Sequence, residues 1–272
     1  MQDHPISPAA LVRSLWRNRN LITQMTRREV IGRYNGSILG VAWSFLHPLL
    51  MLTVYTFVFG VVFKARWGGA EESKLIFALV LFTGMIVHSL FAECVIQAPS
   101  LILNNPNYVK KVVFPLEILP FVALLTALFH TAVSAVVLVT AMFLSGHPLH
   151  WTIALSPLVV APLALVTLGA AWLLASLGVY IRDVSQTMGI ITTVMMFLSP
   201  MFYPVSALPE TFQPLIMANP LTLIMEQLRA VLVWGQLPNW RALISYVALA
   251  ALFAWASFAW FQKTRKGFAD FL

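Results

Sequence analysis

From Ile118 to Ile181 the chain runs for 64 residues without one Asp, Glu, Lys or Arg. A soluble domain carries about 25% charged residues, whereas this chain of 272 residues carries 10%. The solvent for such a stretch is lipid. Only Ser145 to Trp151, SGHPLHW, offers a turn, so the run reads as two membrane spans, about 118–144 and 153–181, closed by Arg182 and Asp183.

A second charge-free run, Tyr34 to Phe63, follows directly on Arg27, Arg28 and Arg33. Thirty helical residues make about 45 Å at 1.5 Å per residue, more than a hydrocarbon core of about 30 Å. Further spans read at about 36–63, 75–98, 186–203 and 242–262, which makes six. The fold class is therefore all-α: a polytopic membrane protein with six transmembrane helices. Six spans return both termini to one side. With that side cytoplasmic, twelve of the 17 basic residues lie inside and five outside (Lys64, Arg66, Lys74, Arg229 and Arg241), as the positive-inside rule requires. The net charge of +7 then belongs to loops facing anionic lipid, and no nucleic-acid partner is expected.

Two segments depart from simple spanning. In residues 1–33, Ser7-Pro8 reads as a helix start. Leu11, Leu15, Trp16, Ile22 and Met25 alternate with arginines, which predicts an amphipathic interface helix broken near Asn18 to Asn20. The domain division is thus 1–33, an interface helix on the cytoplasmic side, and 34–272, the membrane domain. Between Pro204 and Trp240, prolines 209, 214, 220 and 238 cut the chain into short pieces. One begins at Asn219-Pro220 and repeats Leu221, Ile224, Met225, Leu228 and Leu232 at helical spacing, with Glu226 and Arg229 on its polar side. It reads as a surface or re-entrant helix.

The chemistry that is missing narrows function. No Gly-Lys pair occurs, so a phosphate-binding loop cannot be matched. The six histidines form no close ligand set, and Cys94 is the single cysteine. No catalytic cluster can be assembled, so the chain is not read as an enzyme. No cleavable leader is expected either, since the first thirty residues hold no uninterrupted apolar core. Glu93 lies near the inner end of the second span, and His47, His88 and His130 lie deeper; helix-to-helix hydrogen bonds are the default for each. With no central carboxylate or lysine, ion coupling is disfavoured. The first span is rich in rings, among them Trp43, Tyr55 and Phe59. Aromatic faces suit a sliding sugar chain, and equally suit packing or lipid contact.

Six pieces in order resemble one family: Leu21 to Phe63, residues 104–120 (NNPNYVKKVVFPLEILP), 180–184 (YIRDV), 199–210 (SPMFYPVSALPE), 218–229 (ANPLTLIMEQLR) and the tail GFADFL. The chain resembles the permease subunits of ABC transporters that export polysaccharide or polyol phosphate, above all the O-antigen permeases. The resemblance implies a homodimer in the inner membrane, both termini cytoplasmic, bound to two separate ATPase subunits that carry ATP and Mg. Its substrate would be a lipid-linked glycan moved to the outer face. No cofactor is expected on this chain. ATPase coupling would fall to Arg27, Arg28, Glu29 and Arg33, and to Asn104, Asn105, Pro106, Tyr108, Lys110, Lys111 and Phe114. An outer gate would be built from Pro200, Tyr203, Pro209, Asn219, Pro220, Glu226 and Arg229, and Trp43, Tyr55 and Phe59 would line the channel. Capsule polymer, teichoic acid or a hydrophobic drug are alternative cargoes. An ion-driven carrier and a membrane enzyme are the rival classes.

Overall fold

A computed structural model of the protein describes residues 6–62, 74–110 and 114–271. Among these residues the chain is helical, with no strand. It opens with α1 (Pro8–Arg17) and α2 (Arg19–Gly32). The Ser7 hydroxyl accepts from the Ala10 backbone N–H at 3.2 Å, and Pro8 takes the first helical position, where its missing N–H is no loss. At the break, the Asn18 side-chain amide donates to the Ser14 carbonyl at 2.8 Å. Ile22 of α2 packs with Ile118 and Val122, so the interface segment is docked on the bundle.

Residues 34–39 are turns instead of the helix expected there. Gly36 and Gly40 take φ of 82° and 51°, a left-handed conformation that glycine tolerates and a right-handed helix forbids. Helix α3 (Trp43–Tyr55) follows, and continues as a π-helix over Thr56–Val62. Phe63 and the polar loop to 73 lie outside the described residues.

The remaining helices are α4 (Lys74–Gln97), α5 (Pro106–Lys110), α6 (Ile118–Leu144), α7 (Ser156–Tyr180), α8 (Val184–Phe197), α9 (Gln213–Ala218), α10 (Pro220–Leu232) and α11 (Trp240–Thr264). Five helical stretches are long and apolar enough to cross a membrane: Gly40–Phe59, Leu75–Ser100, Ile118–Leu144, Trp151–Tyr180 and Trp240–Asp270. Helix α8, with 14 residues, makes only about 21 Å at 1.5 Å per residue. The fifth span expected at 186–203 is thus helical only to Phe197. Pro200 cannot continue it, and partners from elsewhere in the fold take its last carbonyls.

Helix α4 is the central post. In its most apolar stretch 72% of residues are buried, against 17% for the first span. It lies between α6 and α7, and α11 runs along α7. Lipid is as apolar as leucine, so helices associate here by close packing. Gly178 is an instance: a Cβ there would land on the Pro99 carbonyl, so only glycine lets α7 approach the turn after α4.

Contacts define two ends. At one end α1, the start of α6, the close of α7 and the chain's tail meet, so both termini share it. At the other end, Thr152 donates to the Val231 carbonyl at 2.6 Å and His147 Nε2 to the Val233 carbonyl at 3.0 Å. That end carries α9 and α10.

Candidate functional site

The turns after α2 lie against the second half of α4 and the middle of α6, where His130 is the thirteenth of 27 residues, and leave a cleft of about 690 Å³. Spacing explains its lining. Trp43 and His47 on α3, Ser89 and Glu93 on α4, and His130 and Ser134 on α6 are each four residues apart, so each pair shares a helix face. Arg33, Tyr34, Asn35 and Ser37 close the rim.

Arg33, Tyr34, Glu93 and His130 form one cluster in it. Glu93 Oε1 accepts from His130 Nδ1 at 2.7 Å and from Arg33. Since Nδ1 donates to the carboxylate, its 3.1 Å approach to Arg33 sets two donors side by side on one acceptor. The Tyr34 hydroxyl lies 3.3 Å from His130 Nε2. His88 Nε2 donates to the Thr192 carbonyl at 2.9 Å, which sets its tautomer and ties α4 to α8.

Two further grooves continue along α2. One, of about 590 Å³, shares Arg33 and Glu93 with the cleft and reaches Glu29 and Gln97. The next, of about 250 Å³, joins Arg28 and Glu29 to Asn104 and Asn105. The two segments expected to work together, one before the first span and one after the second, are therefore neighbours. Burial, with the Glu93 charge adding to it, holds the Glu29 carboxyl above its ordinary range, and the nearby Arg33 and Arg28 only partly oppose this. Arg27 is exposed on α2 and lines neither groove.

Beyond Asn104, α5 carries Pro106, Tyr108 and Lys110. The Tyr108 ring stacks on Phe114, centroids 4.2 Å apart and planes 5° apart. Lys111 lies outside the described residues. The Phe114 carbonyl accepts from Arg265 at 2.6 Å, and the same guanidinium donates to Glu117 at 2.8 Å. Glu117 also accepts from the Ser14 hydroxyl at 2.7 Å, and its backbone carbonyl accepts from Trp172 Nε1 at 3.0 Å. Glu117 thus joins α1, the loop before α6, α7 and the tail. Sequence reading missed this knot, and its only outward sign is a carboxylate placed one residue before a charge-free span.

At the opposite end the proposed gate residues come together. Asn219 caps α10 by accepting from the Leu221 N–H at 2.9 Å, and its amide donates to the Leu198 carbonyl at 3.0 Å and to the Ser199 hydroxyl at 3.0 Å. The Tyr203 hydroxyl donates to the Phe197 carbonyl at 2.7 Å, and the Pro220 carbonyl accepts from Tyr246 at 2.9 Å. Pro209 sets the turn before α9, its carbonyl accepting from Phe212 at 2.9 Å. Arg229 is not on an exposed polar face as its spacing suggested; it is 1% exposed. It donates to the carbonyls of Val80 at 3.1 Å, Pro200 at 2.6 Å and Met201 at 3.3 Å, and to Glu226 at 2.8 Å. Broken helix ends supply carbonyls that need donors, and that demand draws the guanidinium inward.

The three aromatics expected on the channel separate. Trp43 lines the cleft. Tyr55 packs against Phe59 at 6.3 Å, and Phe59 stacks on Phe202 at 5.7 Å, next in the chain to Tyr203. They do not form one continuous site within this chain.

The profile of the family described as "ABC-2 type transporter" matches residues 20–233. Among curated proteins, the O-antigen export system permease protein RfbA of Myxococcus xanthus is 29% identical over 262 residues, covering 96% of this chain and 98% of that one. The protein of that name from Klebsiella pneumoniae is 24% identical over 255 residues, 93% and 95% of the two chains. With a profile match over most of its length and several helices that cross a membrane, the chain is a multi-pass membrane protein that belongs to the ABC-2 type transporter family.

Proposed function

We propose that the chain is the channel-forming permease subunit of an ATP-driven exporter that moves lipid-linked polysaccharide of the O-antigen type to the outer face of the inner membrane. The observation that carries this is the full-length similarity to permeases named for O-antigen export. Two copies would pair and bind two ATPase subunits, which hold ATP and Mg. Both termini would be cytoplasmic, and α8 with the stretch to Pro204 would complete a sixth crossing. The grooves joining Arg28 and Glu29 to Asn104 and Asn105 support a single docking surface for the ATPase, with Arg27, Arg33, Pro106, Tyr108, Lys110, Lys111 and Phe114 around it. The hydrogen bonds of Asn219 and Arg229 support a gate at the other end. Trp43 near one end of the path and Tyr55 and Phe59 near the other would serve a passing glycan.

Purification with candidate ATPases from the same cells tests the reading. An ATPase should co-purify and be stimulated by lipid-linked glycan, and deleting the chain should remove glycan from the cell surface. A chain that purifies alone and leaves surface glycan unchanged when deleted would overturn it.

A further inference from the structure

We propose that the cleft between the 33–48 segment, α4 and α6 is the seat of the transported lipid's head group, a sugar-phosphate ester, with Arg33 as the phosphate ligand and Trp43 as the platform for the first sugar. This rests on the export reading.

The volume of about 690 Å³ falls within the ~300–1,000 Å³ range of small-molecule sites. The lining divides by chemistry in the way such a head group does. Arg33 is the cation at the rim, and its side chain is 52% exposed, so it can leave Glu93 for a phosphate oxygen without exposing a buried charge. Glu93 would then keep the proton of His130 Nδ1 as its partner, and its carboxylate could accept a sugar hydroxyl. Guanidinium groups bind phosphate through paired N–H bonds, stronger than neutral ones. Tyr34, Asn35, Ser37, Ser89 and Ser134 add hydroxyl and amide groups, and Pro48 leaves the Ser44 carbonyl without a helix donor. Trp43 supplies a ring face.

A second observation points to a ligand. In the groove that shares Arg33 and Glu93 with the cleft, the Gln97 amide nitrogen is buried with no hydrogen-bond partner among the described residues. Buried donors are almost always paired. A third says that the ligand is an amphiphile. Next to Ser37 on the rim, Ile38 is fully exposed and Leu39 is exposed. A polar pocket with an apolar sill beside its rim fits a phosphate carrying a hydrocarbon chain better than a free sugar phosphate.

Native mass spectrometry of the purified full chain tests this, with a polyprenyl diphosphate bearing one hexose as the probe. Phosphatidylglycerol and the hexose-free polyprenyl phosphate are the comparators. The chain should retain the hexosyl probe over phosphatidylglycerol. Arg33→Ala should lower that retention about tenfold, the size of one charged hydrogen bond, and Arg33→Lys should restore part of it. Trp43→Ala should weaken the hexosyl probe while leaving the hexose-free lipid unchanged. Trp151→Ala, at the opposite end, should alter neither.

Equal retention of phosphatidylglycerol would assign the cleft to ordinary bilayer lipid and overturn the proposal, as would binding indifferent to Arg33 and Trp43. Surface glycan measured in the same strains separates the two levels. Normal export by Arg33→Ala and Trp43→Ala cells removes the head-group seat and leaves the exporter. Retention of the probe by a chain whose deletion leaves surface glycan intact removes the exporter.

Discussion

Arg229 is the residue on which the far end of the molecule turns. It is buried within the protein on α10, and an unpaired charge in that position would be costly. It is tolerated because the fold supplies carbonyls from Val80, Pro200 and Met201 and the carboxylate of Glu226. Replacing it with methionine keeps the length and strands those carbonyls. A charged hydrogen bond contributes about 1.5–3 kcal/mol, so Arg229→Met should lose about 3 kcal/mol and lower the thermal midpoint in detergent. Arg229→Lys should recover only part of this, since one ammonium cannot span the fork that reaches both α4 and the end of α8. The Gly84 site reports the same crowding: a Cβ there would stand 2.8 Å from the Arg229 guanidinium. A midpoint unchanged by Arg229→Met would remove its holding role.

At the scale of elements, the segment between α4 and α6 has two halves with separate tasks. One half holds α5 and, in sequence, Lys110 and Lys111. Charge reversal at both lysines should abolish surface glycan while leaving subunit amount and thermal midpoint unchanged. The other half is held by Glu117, bonded to Ser14 and Arg265. Breaking a buried pair leaves the other charge without compensation, a loss of about 3–5 kcal/mol. Glu117→Ala should therefore speed proteolysis and hydrogen exchange in α1 and in residues 265–270, besides lowering export. Immunoblot, thermal melts and exchange on both variants distinguish the two. Equal destabilisation by both changes would refute the division.

For the whole molecule, the placement of both termini at one end and of α9 and α10 at the other makes a labelling pattern. In a Cys94→Ser background, single cysteines at Gly146 and Gln213 should react with a membrane-impermeant reagent in intact cells. Cysteines at Asn107 and Lys266 should react only after lysis. Joint labelling of 146 and 107 would overturn the six-crossing arrangement, because Leu144 and Ile118 are the two ends of the same 27-residue helix. The surface of the first span is the least covered of the long helices, which is where a second copy would close a path.

Helix positions were legible along the chain because they follow from local physics. A charge-free run in lipid must satisfy its own backbone, and only a helix does so within one segment. Thus α6 matches the expected 118–144 to the residue, and Asn219-Pro220 opens α10 as its cap. The gaps in the reading fall where the backbone is relieved by something distant. Helix α8 stops at Phe197, where the Asn219 amide donates to the Leu198 carbonyl and Arg229 to those of Pro200 and Met201, and the first span starts late because Gly36 and Gly40 turn left. The site was half visible. Spacing placed Trp43 with His47, and the family resemblance picked out the two proposed coupling segments, yet nothing in spacing paired Glu93 with His130, 37 residues away, or Glu117 with Arg265, 148 residues away. Each of these charges has no local partner, so its position alone says only that one must exist. Which partner it takes is decided when the helices pack, since lipid offers no water to accept an unpaired group and only the tertiary arrangement brings the donors within reach.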